Sequence, residues 1–194
     1  MFSIGPRGAL TAVPGSPFAT GGQYFGGDAS VDFNSSGDLL FGGEWSFNIS
    51  VDVFGVGCKG ALSPVAGSPF TFDSASGSMV VLSDPSHLLF VSNLGSSSVT
   101  DFIGSPKGVL TPGVNQPVNL GAGEPTGMAV NTIQTPTGRR VTLLYVADYE
   151  YSQVFGFEVD RDGTLTAVPG SPFPTGEGEY TGLMSLAVDS PADE

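Results

Sequence analysis

The sequence predicts an all-β fold: a β-propeller arc of about three complete four-stranded blades, with partial blades at both ends. Three observations predict it. The composition is rich in turn residues and poor in charge, one motif recurs along the chain, and short strands stand at fixed places between its copies. Gly (29) and Pro (15) make up about 23% of the 194 residues, against roughly 12% in average proteins. Charged residues are 13% and hydrophobic residues 40%, with 14 Phe. That is enough apolar mass for a core, cut into pieces too short for long helices. Without Gly in threes the chain is not collagen-like, and one Cys makes no disulfide scaffold.

The repeat comes first. Gly8-Ala9-Leu10-Thr11-Ala12-Val13-Pro14-Gly15-Ser16-Pro17-Phe18 returns as Gly60-Ala61-Leu62-Ser63-Pro64-Val65-Ala66-Gly67-Ser68-Pro69-Phe70. A worn copy runs from Gly108-Val109-Leu110-Thr111-Pro112 to Gln116-Pro117-Val118. The last, Gly163 to Phe173, matches the first letter for letter from Thr166 onward. The leading glycines at 8, 60, 108 and 163 set steps of 52, 48 and 55 residues.

Between copies the order is constant. A first strand (Ser30–Phe33, Met79–Leu82, Met128–Val130, Leu186–Val188) leads into a polar turn. A nearly continuous apolar second strand follows: Leu39–Phe41, Leu88–Val91 and Leu143–Ala147. After another turn comes an alternating third strand: Ile49–Phe54, Val99–Ile103 and Val154–Val159. The Gly-Ala-Leu-Thr element closes the unit as a fourth strand. Period-two alternation bounded by Gly, Pro, Asn and Asp reads as antiparallel strands in tight turns. Four strands per ~50 residues is the propeller-blade period. A four-stranded sheet cannot cover its own two faces, so blades must stack on each other. The apolar second strand suits burial on both faces. Pro14, Pro64, Pro112 and Pro169 mark the outermost strand, where a missing N–H costs least. A β-sandwich or a linear solenoid is the rival arrangement, and the four-strand period speaks against both.

The expected units are blades at 22–73, 74–121 and 122–176, with partial blades at 1–21 and 177–194. Propellers close with roughly four to eight blades. The expectation is therefore an open arc, a portion of a longer protein. Its uncovered end blades would favour self-association.

Several residues carry a family likeness. Leu88-Leu89-Phe90-Val91-Ser92-Asn93 and Leu143-Leu144-Tyr145-Val146-Ala147-Asp148 resemble the Tyr-Val-Thr-Asn type of propeller repeat. The Val-x-x-Phe strands and the Gly-x-Leu-Thr-x-Val-x-Gly-Ser-Pro-Phe closures resemble its lactonase branch, the seven-bladed propellers named for 6-phosphogluconolactonase. The resemblance spans nearly the whole chain. It implies the fold, and an enzyme that opens a sugar lactone such as 6-phosphogluconolactone. Relatives of the same repeat type also include non-catalytic surface proteins, which leaves a binding scaffold as the alternative. Fold alone does not choose between them.

Charge narrows the partners. Six basic residues face 19 acidic ones, a formal net charge of −13. Nucleic acid needs a basic patch to displace counterions, so it is excluded as a partner. An anionic membrane surface is disfavoured for the same reason. No run of 18 apolar residues is present to span a bilayer. Met1 to Arg7 lack the charged and apolar regions of a signal peptide. Low lysine with Ser/Thr/Gly-rich strands leans toward an extracytoplasmic setting, whereas a phosphogluconolactonase would be cytoplasmic.

Candidate chemistry is sparse. His87 is the only histidine, so it supplies neither a metal set nor a Ser–His–Asp triad, and it reads as a turn residue. Cys58, beside Lys59, reads as a small loop residue. Gly21 to Gly27 lack the helix that a phosphate cradle requires. No Asp-x-Asp-x-Asp-Gly loop calls for Ca²⁺, and no cofactor or metal is expected.

The informative loops are those joining fourth to first strands and second to third strands, which share one face of a propeller. The first set holds Tyr24, Asp28, Glu124, Glu177, Glu179 and Tyr180. The second holds Glu44, Trp45, Asn93, Asp148, Tyr149, Glu150 and Tyr151. Acids beside aromatics suit a carbohydrate or lactone: carboxylates accept hydroxyl protons while ring faces cover the sugar. The same acids would also serve simply to keep the surface solvated. Arg139 and Arg140 are placed on the opposite face, in the turn before a second strand.

Overall fold

The computed structural model describes residues 1–20, 28–44, 49–72, 78–83, 87–114, 117–121, 123–176 and 185–188. The chain opens with a hairpin, β1 (Phe2–Ile4) and β2 (Leu10–Ala12). The first full sheet is β3 (Asp28–Phe33), β4 (Leu39–Glu44), β5 (Ile49–Val56), β6 (Leu62–Pro64) and β7 (Phe70–Phe72). The second is β8 (Ser78–Ser83), β9 (Leu88–Asn93), β10 (Ser98–Gly104), β11 (Leu110–Pro112) and β12 (Val118–Asn119). The third is β13 (Pro125–Gln134), β14 (Arg140–Asp148), β15 (Gln153–Val159), β16 (Leu165–Ala167) and β17 (Phe173–Pro174). Every pairing is antiparallel; the first four strands of each sheet pair in chain order, while β7, β12 and β17 pair back onto β5, β10 and β15.

The fold is a propeller arc, and its sheets do not close into a ring. First strands touch across blades: β8 packs against both β3 and β13. Side chains alternate across a strand, and β9 uses both of its faces. Leu89 and Val91 join Leu39, Phe41, Val51 and Val53 of the first sheet. Leu88 and Phe90 join Leu144, Val146, Phe155 and Phe157 of the third. All six residues of β9 are buried, which is why its sequence reads as a continuous apolar run ending in Ser92-Asn93. Full burial of each such side chain contributes about 1.5–3 kcal/mol.

The fourth strand departs from the sequence expectation. It is split in two: β6 and β7 pair with opposite halves of β5, as do β16 and β17 with β15. The Gly-Ser-Pro-Phe motif makes the break. The Ser68 hydroxyl accepts the Val53 amide at 2.9 Å, and Ser171 accepts the Gly156 amide at 3.0 Å. At the same register Ser16 accepts the Met1 ammonium at 2.8 Å. A hydroxyl thus replaces the ladder carbonyl where the strand leaves the sheet. Gly15, Gly67 and Gly170 have φ of 88°, 93° and 90°, with the motif's Phe ring lying against each. This positive φ is open to glycine.

The leading glycines do more than turn the chain. Gly108 has φ 79°, and a Cβ there would lie 3.0 Å from Val53 and 3.1 Å from Leu39 of the preceding blade. Gly60 abuts Met1 and Val13 in the same way, and Gly163 abuts Asp101 and Leu88. Each blade therefore sets its third-to-fourth turn against the blade before it.

Two further expectations change. The first strand of the third sheet runs on to Gln134, so Arg140 opens β14 instead of lying in a turn. Eight cross-strand pairs from Pro125–Asp148 to Gln134–Arg140 hold that longer hairpin. Residues 185–188, expected as a strand, carry no ladder pairing. No second strand reaches them among the described residues.

Candidate functional site

The predicted site residues that the structure describes fall at one end of the sheets, where second strands finish and third strands begin. Glu44, Asn93 and Asp148 hold the same register, opposite Asp28, Ser78 and Pro125 on the first strands. Their spacing in the sequence follows from the blade period. The side chains of Glu44 and Asp28 lie outside what the structure describes, as do Trp45, Tyr24, Glu177, Glu179 and Tyr180.

Asp148 and Asn93 were expected in loops, and the structure places both inside strands. Asp148 is 1% exposed. One carboxylate oxygen accepts the amides of Glu124 and Glu150 at 3.0 Å and of Tyr151 at 3.4 Å. The other accepts the Gln153 side-chain amide at 2.7 Å. Charge-assisted bonds of this kind repay the burial of the carboxylate. A Cβ on Gly123, whose φ is 128°, would overlap that carboxylate, so glycine is required there. Asp148 thus ties the incoming connection to the turn that follows it. Tyr149 adds a second tie, its amide donating to the Glu124 carbonyl at 2.9 Å.

Asn93 does the corresponding work in the second sheet. It is fully buried, and its side-chain amide donates to Thr100 at 2.7 Å and Ser98 at 3.2 Å. Its Oδ1 has no hydrogen-bond partner among the described residues. Ser92 donates to the Thr126 carbonyl at 2.9 Å, and Ser97 donates to the Gly123 carbonyl. These two bonds stitch the second sheet to the first strand of the third.

The structure therefore brings Glu124, Asp148, Tyr149, Glu150 and Tyr151 together on one rim, with Asn93 on the neighbouring blade. The amides of Glu124 and Glu150 share one Asp148 oxygen, which holds the two backbones within a few ångströms of each other. Glu124, Tyr149 and Glu150 are half-buried, and Tyr151 is exposed. The turns are unequal: the third sheet presents Tyr149-Glu150-Tyr151 where the second presents Leu94-Gly95-Ser96. Among the described residues, Glu124 and Tyr149 to Tyr151 give the third sheet the acids and rings of this rim. Spacing alone hid Ser92, Ser97 and Gly123, which read in the sequence as ordinary turn letters.

The other rim differs. Arg139 forms an ion pair with Glu158 at 2.8 Å, and that hydrogen bond and charge raise the guanidinium above its ordinary value. Arg140 and Asp148 sit at opposite ends of β14, roughly 27 Å apart at ~3.4 Å per residue. Neither arginine reaches the acidic rim. His87 is exposed, with φ 68°, beside a shallow hollow lined also by Asn34, Asp38 and Pro106. Cys58 is an exposed free thiol in a single 3-10 turn. Among the described residues no group of three or more His, Cys, Asp or Glu is placed to hold a metal. Among the described residues no helix is long and apolar enough to cross a membrane.

No protein-family model matches the chain, and no curated protein matches its sequence. Solved structures do match. A candidate 6-phosphogluconolactonase from Bacteroides fragilis is similar at 25% identity and a TM-score of 0.54. The match covers 72% of this chain and 37% of that one. The Pseudomonas aeruginosa periplasmic gluconolactonase PpgL is similar at 22% identity and a TM-score of 0.55, over 74% of this chain and 40% of that one. This chain thus spans well under half the length of either protein.

Proposed function

We propose that this chain belongs to a lactonase-type propeller that binds a sugar lactone at the rim of Glu124 and Tyr149 to Tyr151, beside the buried Asn93, and opens it with water. The reading is carried by the likeness to two lactonase structures, in a molecule that brings Glu124, Tyr149, Glu150 and Tyr151 together at one end of the third sheet. In the reaction water adds to the lactone carbonyl, the ring C–O bond breaks, and the hydroxy acid so formed ionises to its carboxylate, releasing one proton. Asp148 is bonded on both oxygens and serves as the anchor of the rim. The general base then falls to Glu150 or Glu124, each half-buried and held next to that anchor. Tyr151 supplies an exposed ring face for the sugar. An acidic rim favours the neutral lactone over its phosphorylated counterpart, because no arginine reaches it.

Proton release from gluconolactone in a pH-stat tests the reading. A rate above the spontaneous background is expected, falling at least tenfold in Glu150→Gln or Glu124→Gln. Loss of only the spontaneous amount of lactone, with no binding by calorimetry, would sink both catalysis and recognition. Binding without turnover would favour the scaffold reading, for which the internal commitment of Asp148 is the supporting observation.

A further inference from the structure

Four phenylalanines occupy one register position along the chain. Phe2, Phe54, Phe102 and Phe157 stand opposite Ala12, Pro64, Pro112 and Ala167. In the three full sheets they are 4%, 1% and 6% exposed, whereas Phe2 is 59% exposed. Its neighbours follow suit. Ile4 is 77% exposed and Leu10 64% exposed, while at their register positions Val159 and Leu110 are 8% and 5% exposed and Val56, Leu62 and Leu165 are half-buried. The hairpin therefore displays the side chains that a blade ordinarily inserts into the blade before it.

The receiving surface is equally regular. Phe102 and Leu110 insert against Leu39, Phe41 and Val51. Phe157 inserts against Leu88, Phe90 and Val99, with Leu165 packed beside it. The corresponding residues of the third sheet are Leu143, Tyr145 and Val154. No blade is seated on them among the described residues. They line a hollow of about 390 Å³ together with Asn131, Ile133 and the unpaired segment Leu186 to Val188.

We propose that the β1–β2 hairpin of one copy of this chain docks into the third-sheet hollow of a second copy, head to tail. Phe2, Ile4 and Leu10 would reproduce the seam that already occurs twice inside the molecule. What covers the hollow is thus set by what covers its two equivalents. The contact is heterologous, so it links unlike surfaces and permits a ring or a short chain of copies. Each copy carries a net charge of −13, so added salt should strengthen association by screening repulsion.

The test uses the 194-residue chain and two variants altered only at exposed positions. Phe2→Asp/Ile4→Asp breaks the hairpin face, and Ala187→Arg/Val188→Arg blocks the hollow at a segment that carries no ladder bonds. Association is followed by light scattering across a concentration series, with circular dichroism confirming folded protein. The wild-type chain should associate with rising concentration. Each variant alone should associate at least tenfold more weakly, and an equimolar mixture should recover a one-to-one pair through the faces left intact. A wild-type chain that stays monomeric up to about 100 μM would overturn the proposal. So would a hollow variant that self-associates like wild type, or a mixture no heavier than its parts.

Discussion

Two seams of the molecule share one register and differ in chemistry. Between the first and second sheets, Val53 and Val65 meet Gly108 in hydrocarbon contact. Between the second and third, the position of Val53 is Asp101 and the position of Val65 is Gly113. Asp101 is 1% exposed, and its carboxylate fills the space over both Gly113 and Gly163. The two substitutions compensate: a smaller residue on the fourth strand makes room for a carboxylate on the third. The comparison teaches that a repeat conserves the volume of its seam and the φ of its glycine, while the polarity of the filling can change.

The largest effect should come from emptying a seam. Phe102 is 1% exposed in the first-seam cluster, so Phe102→Ala should cost about 3–5 kcal/mol by urea unfolding. Phe2→Ala removes the same side chain at the same register from a solvent-exposed face. It should change stability by less than about 0.5 kcal/mol in dilute solution. Equal costs would mean that the register position itself, rather than the neighbouring blade, sets the energy.

Exchanging the fillings sharpens the comparison next. A Cβ on Gly113 would overlap the Asp101 carboxylate, so Gly113→Val should destabilise by about 2–3 kcal/mol. Adding Asp101→Val recreates the Val53–Val65 pairing of the first seam and should recover more than half of that loss. A double-mutant cycle measures the coupling, expected at about 1–2 kcal/mol. Strict additivity of the two changes would show that the seams are not alternative solutions to one packing problem.

Much of the fold was legible because the blade is a short-range object. The period, the apolar run Leu88–Val91 and the prolines Pro64 and Pro112 are local signals, and both prolines lie on outer strands as expected. The split of the fourth strand was not legible, since it depends on one hydroxyl, that of Ser68 or Ser171, reaching across to an amide on another strand. Nor was the extension of β13: Asn131 reads as the start of a turn, and the strand formers Thr132 and Ile133 beyond it join the ladder only once Thr142 and Val141 lie opposite. At the site, residue type did not reveal which groups are committed to internal bonds. Asp148 and Asn93 resemble ligand-binding groups in a list of letters. The internal bonds of Asp148 appear only when Glu124 is brought back from 24 residues away, and those of Asn93 only when Ser98 and Thr100 lie across from it on the next strand.

The exposed turns stand at the weak end of this scale, and acid should reveal them. Asp38 is held below the ordinary carboxylate value by hydrogen bonds from the Ser36 hydroxyl and the Asn34 amide. Asp162 is lowered by the backbone amide of Thr164 and then by its side chain. In both cases the folded value lies below the unfolded one. The contribution of each turn is therefore complete above the ordinary carboxylate value and fades as pH falls through the lowered one. Both groups are fully exposed, so solvent and salt screen the effect and it should be the smallest measured here. Carboxyl-carbon NMR should find Asp38 titrating below an isolated Asp, with Ser36→Ala raising it further than Asn34→Ala. Melting temperature should barely follow this titration, because the turns only cap strands whose burial is decided at the seams. A steep fall in stability tracking Asp38 would instead place a principal anchor of the fold at the surface.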